Sequence, residues 1–426
     1  MAKRKARRWF RLENASKIFP PNSKGRDTNV FRMACVLKDP IDPDILQAAL
    51  DLTLPRFPFY QSILRKGFFW MYFEQTTLTP KVHPENRPPC SRLYNPDIKS
   101  LLFDVSFYQN RVNLEVFHAL SDGAGALHFL QHLIWEYILL RYSYDKNEVE
   151  SIFYDASNLQ KEEDSFSRHY RPNHEKSKKG KRITAYQEKL SYLPESRIQI
   201  VTGHASVKEC LSISKSYGAS LTEYLATTLL LAYNDTLSWK DRKKPVVLAI
   251  PVNLRRFFQS ETTRNFFSLV YVHYTFSKEN ESFADILQSV QTQFLEKVTL
   301  ANLSKRVQML VQVEQNPFVR GIPLILKNFG LRIANNYVQK ESTTTLSNVG
   351  KITMPDFCAP HIRGFDVYIS TERTQLTLCS YEDSLSLNFS TSFSDLELQK
   401  YFFRRLTKDG LSVSLSTSQR PMKEES

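Results

Sequence analysis

Residues Arg111 to Ile138 constrain this chain more tightly than any other stretch of its 426 residues, because two different periodicities meet there. Val112, Leu114 and Val116 alternate with Arg111, Asn113 and Glu115, the pattern of a strand with alternating burial. Leu127, Leu130, Ile134, Tyr137 and Ile138 then recur at helical spacing. Between them His118-Ala119-Leu120-Ser121-Asp122-Gly123 must connect strand to helix. Residues two apart in a strand share a face, which sends His118 inward with Val112, Leu114 and Val116. An inward histidine at a strand end, with Asp122 four residues on and Gly123 to turn the chain, suits a buried general base. A hydrogen-bonded core histidine beside a helix N-capped by Asp122 fits the same residues. The pattern alone leaves both readings open.

The flanking sequence reads as α+β. A helix over 41–54 opens at Asp42-Pro43, where a first turn tolerates proline. Strands are expected near 59–75 and 101–118, and a helix over 124–141. Later come helices over 207–217, 221–233 and 283–298, and an apolar strand at 246–251. Strands at 344–348, 362–370, 375–380 and 385–391 precede a last helix over 396–406. Hydrophobic periodicity nearly vanishes across 146–182, which is expected to be a linker or crossover loop between halves at 1–145 and 183–411. Residues 412–426 are expected to be a polar tail. A chain of this length is comfortable with two cores.

Phe117 to Gly123 (F-H-A-L-S-D-G) resembles the H-x-x-x-D-G motif of the CoA-dependent acyltransferase superfamily. That superfamily includes chloramphenicol acetyltransferase, peptide-synthetase condensation domains, wax-ester synthases and alcohol O-acetyltransferases. Four further segments resemble it in the family's order: Trp9–Pro20, Leu54–Trp70, Pro251-Val252-Asn253-Leu254-Arg255 and Ser347-Asn348-Val349-Gly350. Two departures stand out. Phe117 occupies the place where many relatives carry a first histidine, and the D-F-G-W-G motif is missing, with Gly364-Phe365-Asp366 no substitute.

The resemblance implies two chloramphenicol acetyltransferase-like halves, each a mixed sheet with packed helices, around an active-site tunnel. It implies His118 as the base that deprotonates an acceptor hydroxyl or amine, with a tetrahedral oxyanion intermediate. Asp122 would pair with an arginine, Arg255 first and Arg65 second. Oxyanion donors would come from the Gly123 N–H or from Ser347 and Asn348. Tyr217, Tyr224, Arg264, Asn265, Phe266 and Phe267 are candidates for the tunnel wall, with core packing the plainer reading. The expected reaction moves an acyl group, acetyl foremost, from acyl-CoA to an alcohol, with acyl-CoA as co-substrate and no other cofactor. Two alternatives are a free-standing condensation-type enzyme fed by a carrier protein and a non-catalytic scaffold.

No metal is implied, and His128 and His132, four apart on one helix, lack a third ligand. Five scattered cysteines without a C-x-x-C pair fit a reducing, cytoplasmic setting. The net charge of +13 is concentrated: residues 1–11 hold six Lys or Arg, and residues 171–182 hold six against Glu175. Such runs are solvated segments rather than a DNA-reading face, so nucleic acid is not expected. They suit the phosphates of CoA or an anionic membrane surface. A monomer is expected.

Overall fold

The alternating stretch forms the strand Arg111–Phe117, the middle member of a five-stranded sheet. Its order is 362–369, 30–37, 111–117, 103–108, 83–84. The computed structural model describes residues 8–23, 25–151, 156–171, 183–194, 197–276 and 281–418. The expected alternation in burial is corrected here, since Asn113 and Glu115 are buried along with Val112, Leu114 and Val116. The reason is a counter-charge on the neighbouring strand. Arg32 lies opposite Glu115 in the antiparallel register and ion-pairs with it at 2.9 Å, and it also reaches Glu85. A buried carboxylate is tolerable only when paired in this way.

The second large sheet has the order 267–274, 246–253, 344–352, 375–381, 384–391, 199–206, 414–417, with parallel and antiparallel neighbours mixed. A three-stranded sheet, 9–11, 71–75, 62–66, flanks the first. Two hydrophobic cores result. One gathers Leu114, Phe129 and Leu133, and the other Leu229, Phe389 and Phe402. This is a two-lobed α+β architecture of mixed sheets and packed helices.

The lobes exchange material. Strand Ile362–Ile369, late in the chain, pairs antiparallel with Val30–Leu37 of the first sheet. Across the junction Thr377 Oγ1 donates to the Val367 carbonyl at 2.5 Å, and Cys379 Sγ to the Phe365 carbonyl at 3.2 Å. Gly364-Phe365-Asp366 therefore belongs to a sheet-bridging strand.

Helices expected at 41–54 and 124–141 form as Pro43–Thr53 and Gly123–Tyr142, the first capped by Asp42 and the second by Asp122. Three helices, Leu300–Gln315, Pro317–Gly321 and Leu324–Gln339, were not anticipated. Within 146–182 the described residues include the one-turn helices Asn158–Lys161 and Ser165–Arg168, and Phe166 packs edge-on against Phe266. In the expected tail, Ser414–Thr417 forms an edge strand. Most of both basic runs, residues 1–7 and 172–182, lies outside the described residues. Among the described residues no helix is long and apolar enough to cross a membrane.

Candidate active site

His118 follows directly on the last paired residue of its strand. Its N–H donates to the Asn29 carbonyl at 2.8 Å, so the neighbouring strand fixes the backbone from which the imidazole projects. The ring stacks on Phe19 at 4.4 Å between centroids and meets Phe31 at 5.2 Å and Phe267 at 5.7 Å. Burial pushes its pKa below the usual histidine value. That outweighs the opposing pull of its own backbone, the Asp122 carboxylate and the Asn265 amide.

The tautomer follows from the hydrogen bonds of Asn265. The Asn265 Nδ2 lies 2.8 Å from the His118 carbonyl, 2.9 Å from Ser16 Oγ and 3.2 Å from Glu13 Oε1. The carbonyl and carboxylate in that set can only accept, so this atom is the amide nitrogen and Oδ1 is the atom 3.1 Å from His118 Nδ1. His118 Nδ1 therefore carries the proton, and Nε2 carries the lone pair. Around Asn265 the network is fully buried. The single Ser16 hydroxyl proton lies between two acceptors, Glu13 and, at 2.8 Å, the Ala119 carbonyl, while Arg264 ion-pairs with Glu13.

Asp122 does two things at once. Its Oδ1 caps the helix by accepting from Gly125 N at 3.0 Å. Both oxygens also take Arg255, Nη1 to Oδ2 at 2.8 Å and Nη2 to Oδ1 at 3.1 Å, while Phe266 N donates to Oδ2 at 2.8 Å. Arg255 is held in turn by the Thr262 and Arg264 carbonyls at 2.9 and 2.5 Å. The carboxylate thus bolts the strand–helix turn to the segment 253–266 of the other lobe. Arg65 is elsewhere, paired with Glu74 at 3.1 Å.

Gly123 does not turn the chain by glycine's freedom. Its φ is not left-handed, and a Cβ would meet only Met33 Cε at 3.5 Å. Gly125 is the sterically required glycine, since a Cβ there would lie 1.9 Å from the Thr263 carbonyl oxygen. Ser347 and Asn348 sit on strand Thr344–Ile352, next to its bulge. The Asn348 side chain braces that bulge, accepting from Gly350 N at 2.8 Å and donating to Thr222 Oγ1 at 3.0 Å. Of the proposed wall residues, Phe267 and Asn265 reach His118. Arg264 and Phe266 are buried structural groups, and Tyr217 and Tyr224 pack with Phe283 in the second lobe. His128 and His132 gather no third ligand; among the described residues no three His, Cys, Asp or Glu side chains are grouped to hold a metal ion.

Beyond Phe19 lies a cavity of about 350 Å³ lined by Asp27, Asn29, Arg332, Asn335 and Glu372. Asn29 has a left-handed φ of 53°, and its buried Nδ2 has no hydrogen-bond partner. Burial pushes the Asp27 carboxyl up to about 6, against hydrogen bonds from Ser370 and Asn29 N. Sequence reasoning did not single out Glu13, Ser16, Asp27 or Asn29. Each owes its place to contacts far along the chain, which leave no local spacing to read.

No protein-family model matches the sequence, and no curated protein matches it. Solved structures do. TRI101 of F. graminearum, in complex with coenzyme A and T-2 mycotoxin, superposes with a TM-score of 0.63 at 11% identity, over 95% of this chain and 99% of that one. The TRI3 trichothecene 15-O-acetyltransferase of Fusarium sporotrichioides gives 0.59 at 12%, over 94% of each chain. The first condensation domain of the calcium-dependent antibiotic synthetase gives 0.59 at 13%, over 96% and 99%. The likeness extends over nearly the whole length of each pair. The chain has the two-lobed, chloramphenicol acetyltransferase-like α+β fold that these structures share.

Proposed function

We propose that this protein transfers an acyl group from acyl-CoA to an acceptor hydroxyl, with His118 as general base. The observation that carries the reading is the bond from His118 Nδ1–H to Asn265 Oδ1, which leaves Nε2 unprotonated in a ring kept neutral by burial. A base of depressed pKa is ready at neutral pH without first losing a proton. The acceptor O–H gives its proton to Nε2 as the oxygen attacks the thioester carbonyl. The tetrahedral oxyanion then collapses, the C–S bond breaks, and the imidazolium returns the proton to the departing CoA sulfur. The Gly123 N–H, in the first turn of the helix after Asp122, is the proposed oxyanion donor, where the positive end of the helix dipole favours developing charge. Ser347 is the proposed cross-lobe alternative. Asn348 is less suited, because its oxygen and one N–H are already engaged. The cavity beyond Phe19, with the unpartnered Asn29 amide, would receive polar groups of the acceptor.

Thiol release from a panel of acyl-CoAs, against mixed alcohols and then amines, tests the reading. Turnover with acyl-CoA and an alcohol, abolished in His118→Ala, supports it. Turnover only with an acyl-carrier protein assigns condensation-type chemistry instead. No acyl transfer from either donor leaves a scaffold.

A further inference from the structure

Helix Leu324–Gln339 is built inside out. None of its sixteen residues is buried, yet Ile325, Leu326, Phe329, Ile333 and Tyr337 recur along one side, 42–83% exposed. Asn335 and Gln339, with Arg332 and Asn336, line the cavity beside Phe19. A helix at the surface of a water-soluble lobe normally turns the opposite sides to protein and solvent.

The exposed apolar side is continuous with a second feature. The hairpin between strands 62–66 and 71–75 carries Phe68-Phe69-Trp70 at its tip, and Phe68 is 73% exposed. The Phe68 carbonyl accepts from Leu324 N at 2.9 Å, and the Phe69 carbonyl accepts from Lys327 Nζ at 2.9 Å. Phe318, on the preceding short helix, is 86% exposed, and the Arg320 carbonyl on that helix also accepts from Lys327. Exposed aromatic and aliphatic side chains from three segments thus share one face.

The charge on that face is mainly positive. Between Glu314, which pairs with Lys17, and Glu341 the chain carries Arg320, Lys327, Arg332 and Lys340 and no acidic residue, and Lys66 flanks the hairpin tip. An apolar surface with Trp and Phe at its edge and an excess of cations around it matches the interface of an anionic bilayer.

We propose that the hairpin tip Phe68–Trp70 and helix Leu324–Gln339 form a docking surface for anionic lipid membranes. The face inserts its apolar side chains shallowly among headgroups and acyl chains, while Arg320, Lys327, Lys340 and Lys66 meet lipid phosphates. This does not depend on the proposed chemistry.

The test is sedimentation of the full chain with vesicles of phosphatidylcholine alone and with about 30% phosphatidylglycerol, at low and high salt. Binding is expected to the anionic vesicles and to weaken with salt. Ile325→Ser/Phe329→Ser and, separately, Phe68→Ser/Trp70→Ser should each lower partitioning by roughly tenfold or more, from the lost apolar insertion. Leu415→Ser, an exposed site on the opposite edge strand of the large sheet, should leave it unchanged. All substituted positions are exposed, and an unchanged melting temperature shows that the fold is kept. As a readout independent of these variants, bromine-labelled lipid should quench the wild-type tryptophan fluorescence and quench Trp70→Phe less. The proposal is overturned by absence of vesicle binding at low salt. It is also overturned if binding is insensitive to both double variants and lost on removing residues 2–7, or if the chain sediments as a dimer that the same variants dissociate.

Discussion

As the proposed base, His118 is kept neutral by burial, which outweighs the pull of Asp122 and Asn265 towards the charged form. Three phenyl rings remove its water, and Asn265 fixes the proton on Nδ1. His118→Ala should lower kcat by roughly 10²–10⁴ while leaving a cooperative unfolding transition. The pKa lies below the ordinary value, so the basic form persists to lower pH than for a solvated histidine. A profile of kcat/KM should therefore stay flat through pH 7, with its acid limb falling below about 6.5. An acid limb above that value would contradict a desolvated base. Asn265→Ala should reduce kcat by about 10²-fold, because a base misplaced by a fraction of an ångström loses its alignment. At this scale the sequence was partly legible. The inward parity of His118 follows from the alternation Val112–Leu114–Val116, which no partner is needed to see. Asn265, 147 residues away, and Glu13, on the other side, share no periodicity with it and meet it only when the lobes close.

The strand–helix turn behaves as one mechanical part, and its glycines separate two roles. Gly125→Ala should destabilise by at least about 2 kcal/mol, since its Cβ must displace the Thr263 backbone. Gly123→Ala should change stability by less than about 0.5 kcal/mol, since ordinary van der Waals contact awaits its Cβ. Thermal melts of the two variants check this directly. The Asp122–Arg255 bolt is buried, so removing either partner strands a charge. Asp122→Asn and Arg255→Ala should each cost about 3 kcal/mol, and the double variant much less than their sum. Additive losses would show that the two side chains act separately. Element positions were legible in helices such as Pro43–Thr53 and Phe283–Lys297, whose apolar stripe faces a core, but Leu300–Gln315 was missed although its Leu303, Val307 and Val311 are buried. Helix Leu324–Gln339 was missed too, because its stripe faces away from protein and its polar residues serve the cavity.

For the whole molecule, stability in acid is set by buried groups of both kinds. Burial holds His128 at about 4 and His132 at about 3, and His118 is also lowered, so the folded state resists protons that the unfolded chain takes up below about 6.5. These imidazoles thus make unfolding easier as pH falls from 7 towards 4, while the carboxyls of Asp27 and Glu188, raised by burial to about 6 and about 7, take up protons first in the folded chain and oppose it. Titration of the His128 and His132 ring signals by NMR checks the imidazoles directly, and values near 6.5 would mean that they are solvated. The two-lobed α+β plan was visible in the order of strands and helices. Which lobe receives Ile362–Ile369 was not, because strand pairing is set by register and closure rather than by composition. That exchanged strand also sets a schedule. Val30–Leu37 leaves the ribosome early but waits for a neighbour more than three hundred residues downstream. At ordinary elongation rates this is tens of seconds with one ladder of N–H and C=O groups unpaired. A nascent chain stopped before residue 362 should accordingly bind chaperones that a chain released beyond residue 391 does not.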